Sequence, residues 1–480
     1  MPAFHVKPLS QLMNEAEHAP LRRALGVLNL TTLGIGSIIG TGIFVLTGTA
    51  ASQHAGPGLV LSMLIAAVGC VFAGLCYAEL AAMIPVAGSA YTYAYATVGE
   101  LFAWIIGWDL ILEYALSCST VAVGWSGYAV SLMRDLGIAF PAQLAAAPGV
   151  NVVLSDGSAA HGIVNLPAMF IVLAVTSLLT LGIKQSANTN TLLVIVKVMV
   201  LVAFIIAGAS YVQRANLTPL VPPNTGEFGH FGLSGVLRGA GVMFFAYIGF
   251  DAVSTAAQES RKPQRDLPVG ILASLAICTV IFVAVAIVLI GIVPYKQLNV
   301  PDPLAVGIDA TGLTWLRPLV KIGAVLGLFS TILVQMIGQT RIFYSMSKDG
   351  LLPALFGRVH PRFRTPHVST LLTGTVCALV AGLTPISVLS ELVSMGTLLA
   401  FVLVCIGIVV LRRTHPDTPR PFRTPGLPWV AVAGALICLA QMAALPLPTW
   451  ERLVIWLVLG LVLYFTYSRS AAAAKRAAVV

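Results

Sequence analysis

The chain has 480 residues, of which 58% are hydrophobic and 9% are charged, whereas an ordinary soluble domain has roughly 25% charged residues. The high apolar and low charged fractions exclude a water-soluble globular protein and a disordered or collagenous chain. A disulfide-stapled scaffold is excluded because the seven cysteines are sparse and lie in apolar runs. In a membrane protein, the net charge of +9 raises the question of which side the cations occupy, and nucleic acid is not an expected partner.

Twelve apolar runs follow one another along the chain, and the length of each is close to or above the roughly 20 residues that a helix needs to cross the hydrocarbon. In order, spans 1 to 12 cover residues 27–50, 57–83, 100–131, 163–182, 190–212, 232–257, 268–293, 316–346, 366–384, 388–411, 428–446 and 452–468. A β-barrel would instead show alternating segments of about 10 residues. The sequence therefore predicts an all-α polytopic membrane protein with 12 transmembrane helices.

Lysine and arginine predict the orientation. If residues 1–26 form a cytoplasmic N-terminal segment, 19 of the 27 cations lie on the inner side, seven on the outer side and one within a span. This bias predicts a multi-pass protein of the cell inner (plasma) membrane with both termini, including the tail 469–480, in the cytoplasm. No cleaved signal peptide is expected, because the N-terminal segment has no short apolar core.

Span 1 contains four glycines in the stretch 33–44, and each costs up to about 1 kcal/mol relative to alanine inside a helix. They predict a break in the helix at mid-membrane, which must line a cavity in the protein because lipid cannot satisfy irregular backbone. Two alternatives compete with a break. Gly36 and Gly40 form a GxxxG pair, which often indicates close helix packing only. A dinucleotide fingerprint is disfavoured because no strand precedes the glycines.

Span 5 carries Lys197 as its lone charge. A lysine at the centre of a membrane helix costs about 2.5 to 3.5 kcal/mol, and such residues usually face the interior of the bundle. Gly34 of span 1 lies at a similar depth, so the ammonium could approach carbonyls freed by the break. Alternatively, Lys197 snorkels to the inner surface, which is roughly 10 Å away.

Span 6 has a second interruption, with Gly239, Gly241 and Gly249 on either side of an aromatic cluster and Asp251 beyond it. Interrupted segments in corresponding positions of two halves are typical of transporter sites. Spans 1 and 6 lie five spans apart and therefore cross in opposite directions. We predict an inverted repeat of spans 1–5 (27–212) and spans 6–10 (232–411), with spans 11 and 12 (428–468) appended.

Five segments together resemble the amino-acid/polyamine/organocation superfamily, namely residues 36–42, 77–80 with 85–93, 245–254, 263–268 and 344–350. Within it, the chain resembles a bacterial member of the cationic amino acid transporter family over about residues 25 to 470. The resemblance implies a LeuT-like fold with helices 1 and 6 broken, and an L-amino acid as substrate.

The two breaks could bind both charged groups of an amino acid. Main-chain N–H groups around the first break suit the carboxylate, with the Thr41 hydroxyl as an extra donor. Carbonyls around the second break suit the ammonium. The resemblance implies the same positions for the α-carboxylate and α-amino groups of the substrate. The candidate substrate-binding residues are Ser37, Ile38, Gly40, Thr41, Gly42, Phe245, Ala246, Ile248 and Met336. Phe245 is either an aromatic lid or a packing residue, and Met336 either a pocket wall or core.

No mid-membrane carboxylate is plainly placed to pair with arginine's side chain, and Met336 as a wall would leave little room for a guanidinium. We therefore expect small neutral amino acids such as alanine to be preferred over arginine. The roles of Glu113, Tyr247 and Asp251 stay open between gating and helix anchoring.

Lys197 is the candidate proton-coupling residue, because a lysine that loses and regains a proton as the pocket opens and closes links proton movement to substrate movement. In sodium-coupled relatives of the fold, span 1 carbonyls and span 8 hydroxyls hold a sodium ion, and Ser330 and Thr331 occupy the matching positions. A sodium-coupled symporter, or an exchanger that includes cationic substrates, is therefore the alternative. We expect no cofactor and no resident metal, and an accessory membrane subunit stays open.

Three other classes are disfavoured. The eight histidines lie in the tail, in loops or near span ends without an enzyme motif. A channel would need a continuous polar pore. A receptor would not need two broken spans.

Overall fold

The computed structural model describes residues 6–8, 25–84, 86, 89–154, 157–181, 187–361 and 365–477, without the side chains of 187–190. Most of the predicted N-terminal segment therefore lies outside the described residues. So do Pro85, Ala87 and Gly88 of one motif, the end of span 4 and the last three residues of the tail.

Helices occupy each predicted apolar run. The α-helices are Val27–Ile38, Thr47–Ala50, Leu59–Met83, Ser89–Thr97, Glu100–Asp135, Leu166–Thr180, Ala187–Ala209, Gly232–Met243, Ala252–Thr255, Pro263–Ile292, Pro303–Thr311, Leu316–Lys348, His367–Leu383, Ile386–Thr414, Trp429–Ala444, Leu447–Leu463 and Arg469–Ala477. The π-helical segments are Gly42–Leu46, Ala51–Ala55 and Tyr464–Ser468, and the 3-10 turns are Gly56–Gly58, Ala142–Leu144, Arg214–Leu217, Phe244–Tyr247, Ala257–Glu259, Tyr295–Gln297 and Ala354–Gly357. The strands Asn151–Val153 and Ala159–His161 form a small antiparallel hairpin between spans 3 and 4.

By length and composition, eight helical stretches in the described chain could cross a membrane: Gly42–Met83, Glu100–Asp135, Thr191–Ala209, Gly232–Thr255, Pro263–Ile292, Leu316–Lys348, Ile386–Thr414 and Leu447–Ala477. Shorter apolar helices lie in spans 1, 4, 9 and 11. The chain is therefore that of a helical, polytopic membrane protein. The count of twelve spans, the inverted repeat and its boundaries stay predictions.

Spans 3 and 8 pack against each other in opposite directions. Gly338 lies under the ring of Tyr114, and further along the same pair Gly107 meets Met346. Glycines at these points let two long helices approach closely. Span 8 is thereby held against span 3 and presents its other face to spans 1 and 6.

The ends of spans 1 and 6 on one side of the bundle are joined through the main chain. The Leu25 N–H donates to the Glu259 carbonyl at 2.9 Å, and the Arg261 N–H donates to the Leu25 carbonyl at 2.8 Å. The two predicted broken spans are therefore neighbours.

Candidate functional site

The helix in span 1 is interrupted after Ile38, as predicted. Ile39 adopts an extended conformation with φ −73° and ψ 94°, and the chain resumes at Thr41 and continues as the π-helical turn Gly42–Leu46. The break lies between two buried half-helices and faces protein, as irregular backbone within a membrane must.

The first break leaves polar groups without partners. Within the described structure, the N–H groups of Gly40, Thr41 and Gly42 have no main-chain acceptor outside their own helix. The hydroxyls of Ser37 and Thr41 are buried and have no hydrogen-bond partner there either. A buried polar group without a partner costs about 1–3 kcal/mol, so this cluster of donors is suited to an anionic ligand.

The helix in span 6 is interrupted at Ile248 and Gly249. The helix Gly232–Met243 tightens into the 3-10 turn Phe244–Tyr247, and Ile248 is then extended with φ −62° and ψ 137°. Gly249 has a φ of +115°, which favours glycine. The Phe245 carbonyl accepts the Ile248 N–H at 3.2 Å, so this break is closed largely by its own main chain.

The two breaks touch each other. A Cβ atom on Gly42 would lie 2.3 Å from the Cα atom of Ala246, and one on Gly249 would lie 2.9 Å from the carbonyl carbon of Ser37. Both distances are too short for a side chain. The structure therefore brings together the predicted residues of the two breaks.

Lys197 is fully buried and extends into the bundle, so it does not snorkel. Its Nζ atom donates to the carbonyls of Gly36 at 2.6 Å and Ile39 at 3.0 Å, which the first break frees. It also lies 3.3 Å from the Ser330 hydroxyl and 3.4 Å from the Thr331 hydroxyl. The ammonium thus occupies the space between span 1 carbonyls and span 8 hydroxyls that holds a sodium ion in the sodium-coupled alternative.

The Thr331 hydroxyl supports the same carbonyls, since it lies 3.2 Å from the Ile39 oxygen and 3.4 Å from the Gly36 oxygen. Among the described side chains, no carboxylate forms a salt bridge with Lys197. Its charge is therefore compensated only by neutral oxygens, an expensive arrangement in a low-dielectric interior.

Met336 does not join this cluster. It is fully buried, and its sulfur lies 3.9 Å from the Thr176 hydroxyl of span 4. Residues two apart on an α-helix are separated by about 200°, so Met336 points away from Val334, which lines a cavity described below. These are the surroundings of a core residue, and a role in selectivity stays a prediction.

The residues whose roles were open have distinct surroundings. One carboxylate oxygen of Asp251 accepts hydrogen bonds from Tyr114 at 3.2 Å and Ser89 at 3.3 Å, whereas the other has no partner among the described residues. The Tyr247 hydroxyl donates to the Met63 carbonyl at 3.1 Å and so anchors span 6 to span 2. Glu113 is buried, and one of its oxygens also lacks a described partner.

A cavity of about 170 Å³ lies below the breaks, between spans 1, 6 and 8. Its lining includes Leu25, Asn29, Leu33, Ala252, Thr255, Val334, Ile337 and Gly338. It ends short of the breaks, since Leu33 precedes Ile39 by six residues, or about 1.7 turns of helix, and Ala252 follows Gly249 by three residues. Arg341 and Glu259 also line it and form an ion pair at 3.0 Å.

This ion pair was not predicted from the sequence, in which Arg341 is one of the 19 cations assigned to the inner side. The available signal was one acid and one base at the same ends of spans 6 and 8. Their pairing needed the relative rotation of the two helices.

Residues 25–464 match a family model described as amino acid permease. The chain is 44% identical to a methylthioribose transporter of Bacillus subtilis, over 97% of this chain and 98% of that protein. It is 47% identical to a branched-chain amino acid permease of the same organism, over 94% of each chain. A vacuolar cationic amino acid transporter of Arabidopsis thaliana is 38% identical over 85% of this chain and 66% of its own length.

Proposed function

The chain belongs to the amino acid permease family, and from this premise we propose that it is a secondary active transporter of neutral L-amino acids, coupled to protons through Lys197. The observation that carries the proposal is the meeting of two broken helices beside a buried ammonium that has no carboxylate partner in the described structure.

The substrate carboxylate binds at the first break in this proposal. The N–H groups of Gly40 to Gly42 and the unpartnered hydroxyls of Ser37 and Thr41 can donate to it, and an anion replaces the missing acceptors. Ile38 contributes main chain next to the break.

The substrate ammonium binds at the second break, to carbonyls of Phe245, Ala246 and Ile248. The Phe245 carbonyl already accepts one N–H, but a carbonyl oxygen has two lone pairs and can accept another. Phe245 is buried at this point, and its ring closes the pocket over the substrate.

A neutral side chain is favoured because the acidic residue that lines the cavity between spans 1, 6 and 8, Glu259, is already paired with Arg341 at 3.0 Å. Small residues such as alanine are the proposed preference. The branched-chain amino acid permease among the relatives supports a neutral substrate and makes valine and leucine the next compounds to test.

The proposed proton coupling depends on the hydrogen bonds by which Lys197 joins spans 1 and 8. The ammonium links two carbonyls of span 1 to two hydroxyls of span 8. When the proton leaves, the amine loses its charge and one donor, so these hydrogen bonds weaken. Spans 1 and 8 can then separate and release substrate, and reprotonation restores the closed arrangement. A sodium ion at these oxygens would be repelled by the ammonium.

The test uses purified protein in proteoliposomes. Lys197→Met should retain substrate binding, measured as thermal stabilisation by alanine, but should lose uptake driven by an imposed pH gradient. Lys296→Met, at an exposed lysine, is the control and should behave as wild type. Uptake by Lys197→Met at the wild-type rate under the same gradient would refute the coupling role, and uptake driven by sodium alone would establish the alternative.

Competition against labelled alanine tests the substrate class. Serine, valine and leucine should inhibit more strongly than arginine, and methylthioribose is included because a relative is named for it. Stronger inhibition by arginine than by serine would overturn the neutral preference.

A further inference from the structure

A groove of about 540 Å³ lies on the outside of the bundle, away from the transport site. It is formed by the start of the helix Pro263–Ile292 and by the segment between spans 10 and 11. The residues that the argument uses are Gln264, Arg265, Val269, Leu272, Pro421 and Phe422. Its volume is in the range of about 300–1,000 Å³ typical of sites for small molecules.

The groove is polar at one end and apolar at the other. Gln264 and Arg265 lie in the first turn of the helix, and Val269 and Leu272 follow one to two turns further on. Phe422 adds an aromatic side chain from the opposite wall. A ligand that fits this order has a polar or anionic head and a hydrocarbon tail.

The polar end is cationic. Arg265 lines the groove, Lys262 immediately precedes its helix and Arg423 follows Phe422. None of the three side chains has an ion-pair partner in the described part of the chain. The neighbouring acid, Asp266, is buried and accepts the Lys262 N–H at 3.2 Å, so it is engaged at the helix start. The N-terminal end of the helix adds a favourable potential for an anion.

The apolar end continues into a surface that faces lipid. Val269 is 42% exposed and Val280, three turns further along the same helix, is 71% exposed. Ile277 lies between them and is also exposed. Trp429, at the start of span 11, is 80% exposed, as is typical of tryptophan at a membrane interface. The groove therefore lies where headgroups meet hydrocarbon.

We propose that this groove binds an anionic glycerophospholipid. The phosphate lies at Arg265, with Lys262 just before the start of the same helix, and one acyl chain follows Val269 toward Val280. Basic pockets between membrane helices bind anionic headgroups in this way. The bound lipid would join the start of span 7 to the segment after span 10, and this assignment does not depend on which solute the protein carries.

The experiment measures lipid binding to the purified full-length chain by native mass spectrometry and by thermal shift. Phosphatidylglycerol should bind and raise the melting temperature, whereas phosphatidylcholine should not. Arg265→Gln should weaken phosphatidylglycerol binding about fivefold, and Arg265→Lys should retain most of it. Arg358→Gln, at an arginine that does not line the groove, should leave binding unchanged.

Three outcomes would overturn the proposal. They are equal binding of the two lipids, unchanged phosphatidylglycerol binding by a folded Arg265→Gln variant, and equal stabilisation by inorganic phosphate, which would indicate an anion site that does not use a lipid tail. Phe422→Ser tests the apolar end separately and should weaken phosphatidylglycerol binding without changing the charge.

Discussion

The carbonyls at the break in span 1 are bound by a side chain from another helix, whereas a carbonyl at the break in span 6 is bound by its own main chain. In the first, the carbonyls of Gly36 and Ile39 accept hydrogen bonds from Lys197 of span 5. In the second, the Phe245 carbonyl accepts the Ile248 N–H and Gly249 supplies the left-handed turn.

Because of this difference, the geometry of the first break can change with the protonation of Lys197, whereas the geometry of the second break is fixed by nearby residues of the chain. The first break depends on an ionisable group and on the distance between spans 1, 5 and 8. The second depends on local dihedral angles and does not change its charge when a proton leaves Lys197. If Lys197 couples protons as proposed, the movable side of the candidate site is expected to be span 1, and four substitutions test this expectation.

The largest effect is expected from Gly42→Ala, because it separates the two breaks. The new Cβ atom would meet the Cα atom of Ala246 at 2.3 Å, and overpacking of this kind costs about 1–3 kcal/mol. We expect alanine uptake to fall at least about tenfold and stabilisation by alanine to disappear. Gly407→Ala is the control, since its nearest neighbour, the Thr97 hydroxyl, would lie 3.4 Å away. Normal uptake by Gly42→Ala would show that the breaks need not touch.

Lys197→Arg tests whether the first break responds to a proton. Arginine keeps the positive charge and several donors but is not deprotonated in proteins. We expect the variant to fold and bind alanine, with the affinity reduced by the larger group, and to accumulate none in response to a pH gradient. Thermal shift and proteoliposome uptake are measured on the same preparation. Accumulation at the wild-type level would remove Lys197 from the coupling mechanism.

Gly249→Ala tests the local character of the second break. Alanine in a left-handed conformation costs about 1–2 kcal/mol, and here its Cβ atom would also lie 2.9 Å from the Ser37 carbonyl carbon. Gly137→Ala is the matched control, because Gly137 has a φ of +79° and nothing within 4 Å of the added atom. The melting temperature should fall further for Gly249→Ala than for Gly137→Ala. Equal decreases would show that the approach to Ser37 has no energetic effect.

The smallest effect is expected from Thr331→Val, which removes a hydroxyl next to the Ile39 and Gly36 carbonyls. Lys197 still donates to both carbonyls, so the loss is that of the one hydrogen bond that the hydroxyl donates and the one that it accepts from Lys197 at 3.4 Å, together about 1–2 kcal/mol. Uptake should decrease a few-fold and keep its dependence on the pH gradient. Thr340→Val is the control, because among the described residues that hydroxyl bonds within its own helix alone, to the Ile337 carbonyl at 2.9 Å. A complete loss of uptake would make Thr331 as important as the ammonium.

Local rules were enough to predict both breaks. Glycine is unfavourable in a helix wherever the helix lies, so the clusters near Gly40 and Gly249 indicated irregular backbone before any packing was known. Lys197 was also recognised from the sequence as a residue expected to face the interior of the bundle. The free energy of removing its charge from water is the same whichever residue compensates it.

The surroundings of Met336 and Arg341 could not be predicted in this way. A helical period states which residues of span 8 share a face, but the direction of that face depends on the neighbouring helices. The structure turns Met336 toward Thr176 and places Arg341 beside Glu259.

Hydrophobicity and glycine content act residue by residue, so the sequence alone was enough to predict a helical membrane protein with two interrupted helices and a lysine deep within span 5. The contact of Lys197 with the carbonyls of span 1, and that of Gly42 with Ala246, became known only from the packed bundle. Such contacts join residues that are distant along the chain, and they depend on how several helices are rotated and packed together, which no local pattern contains.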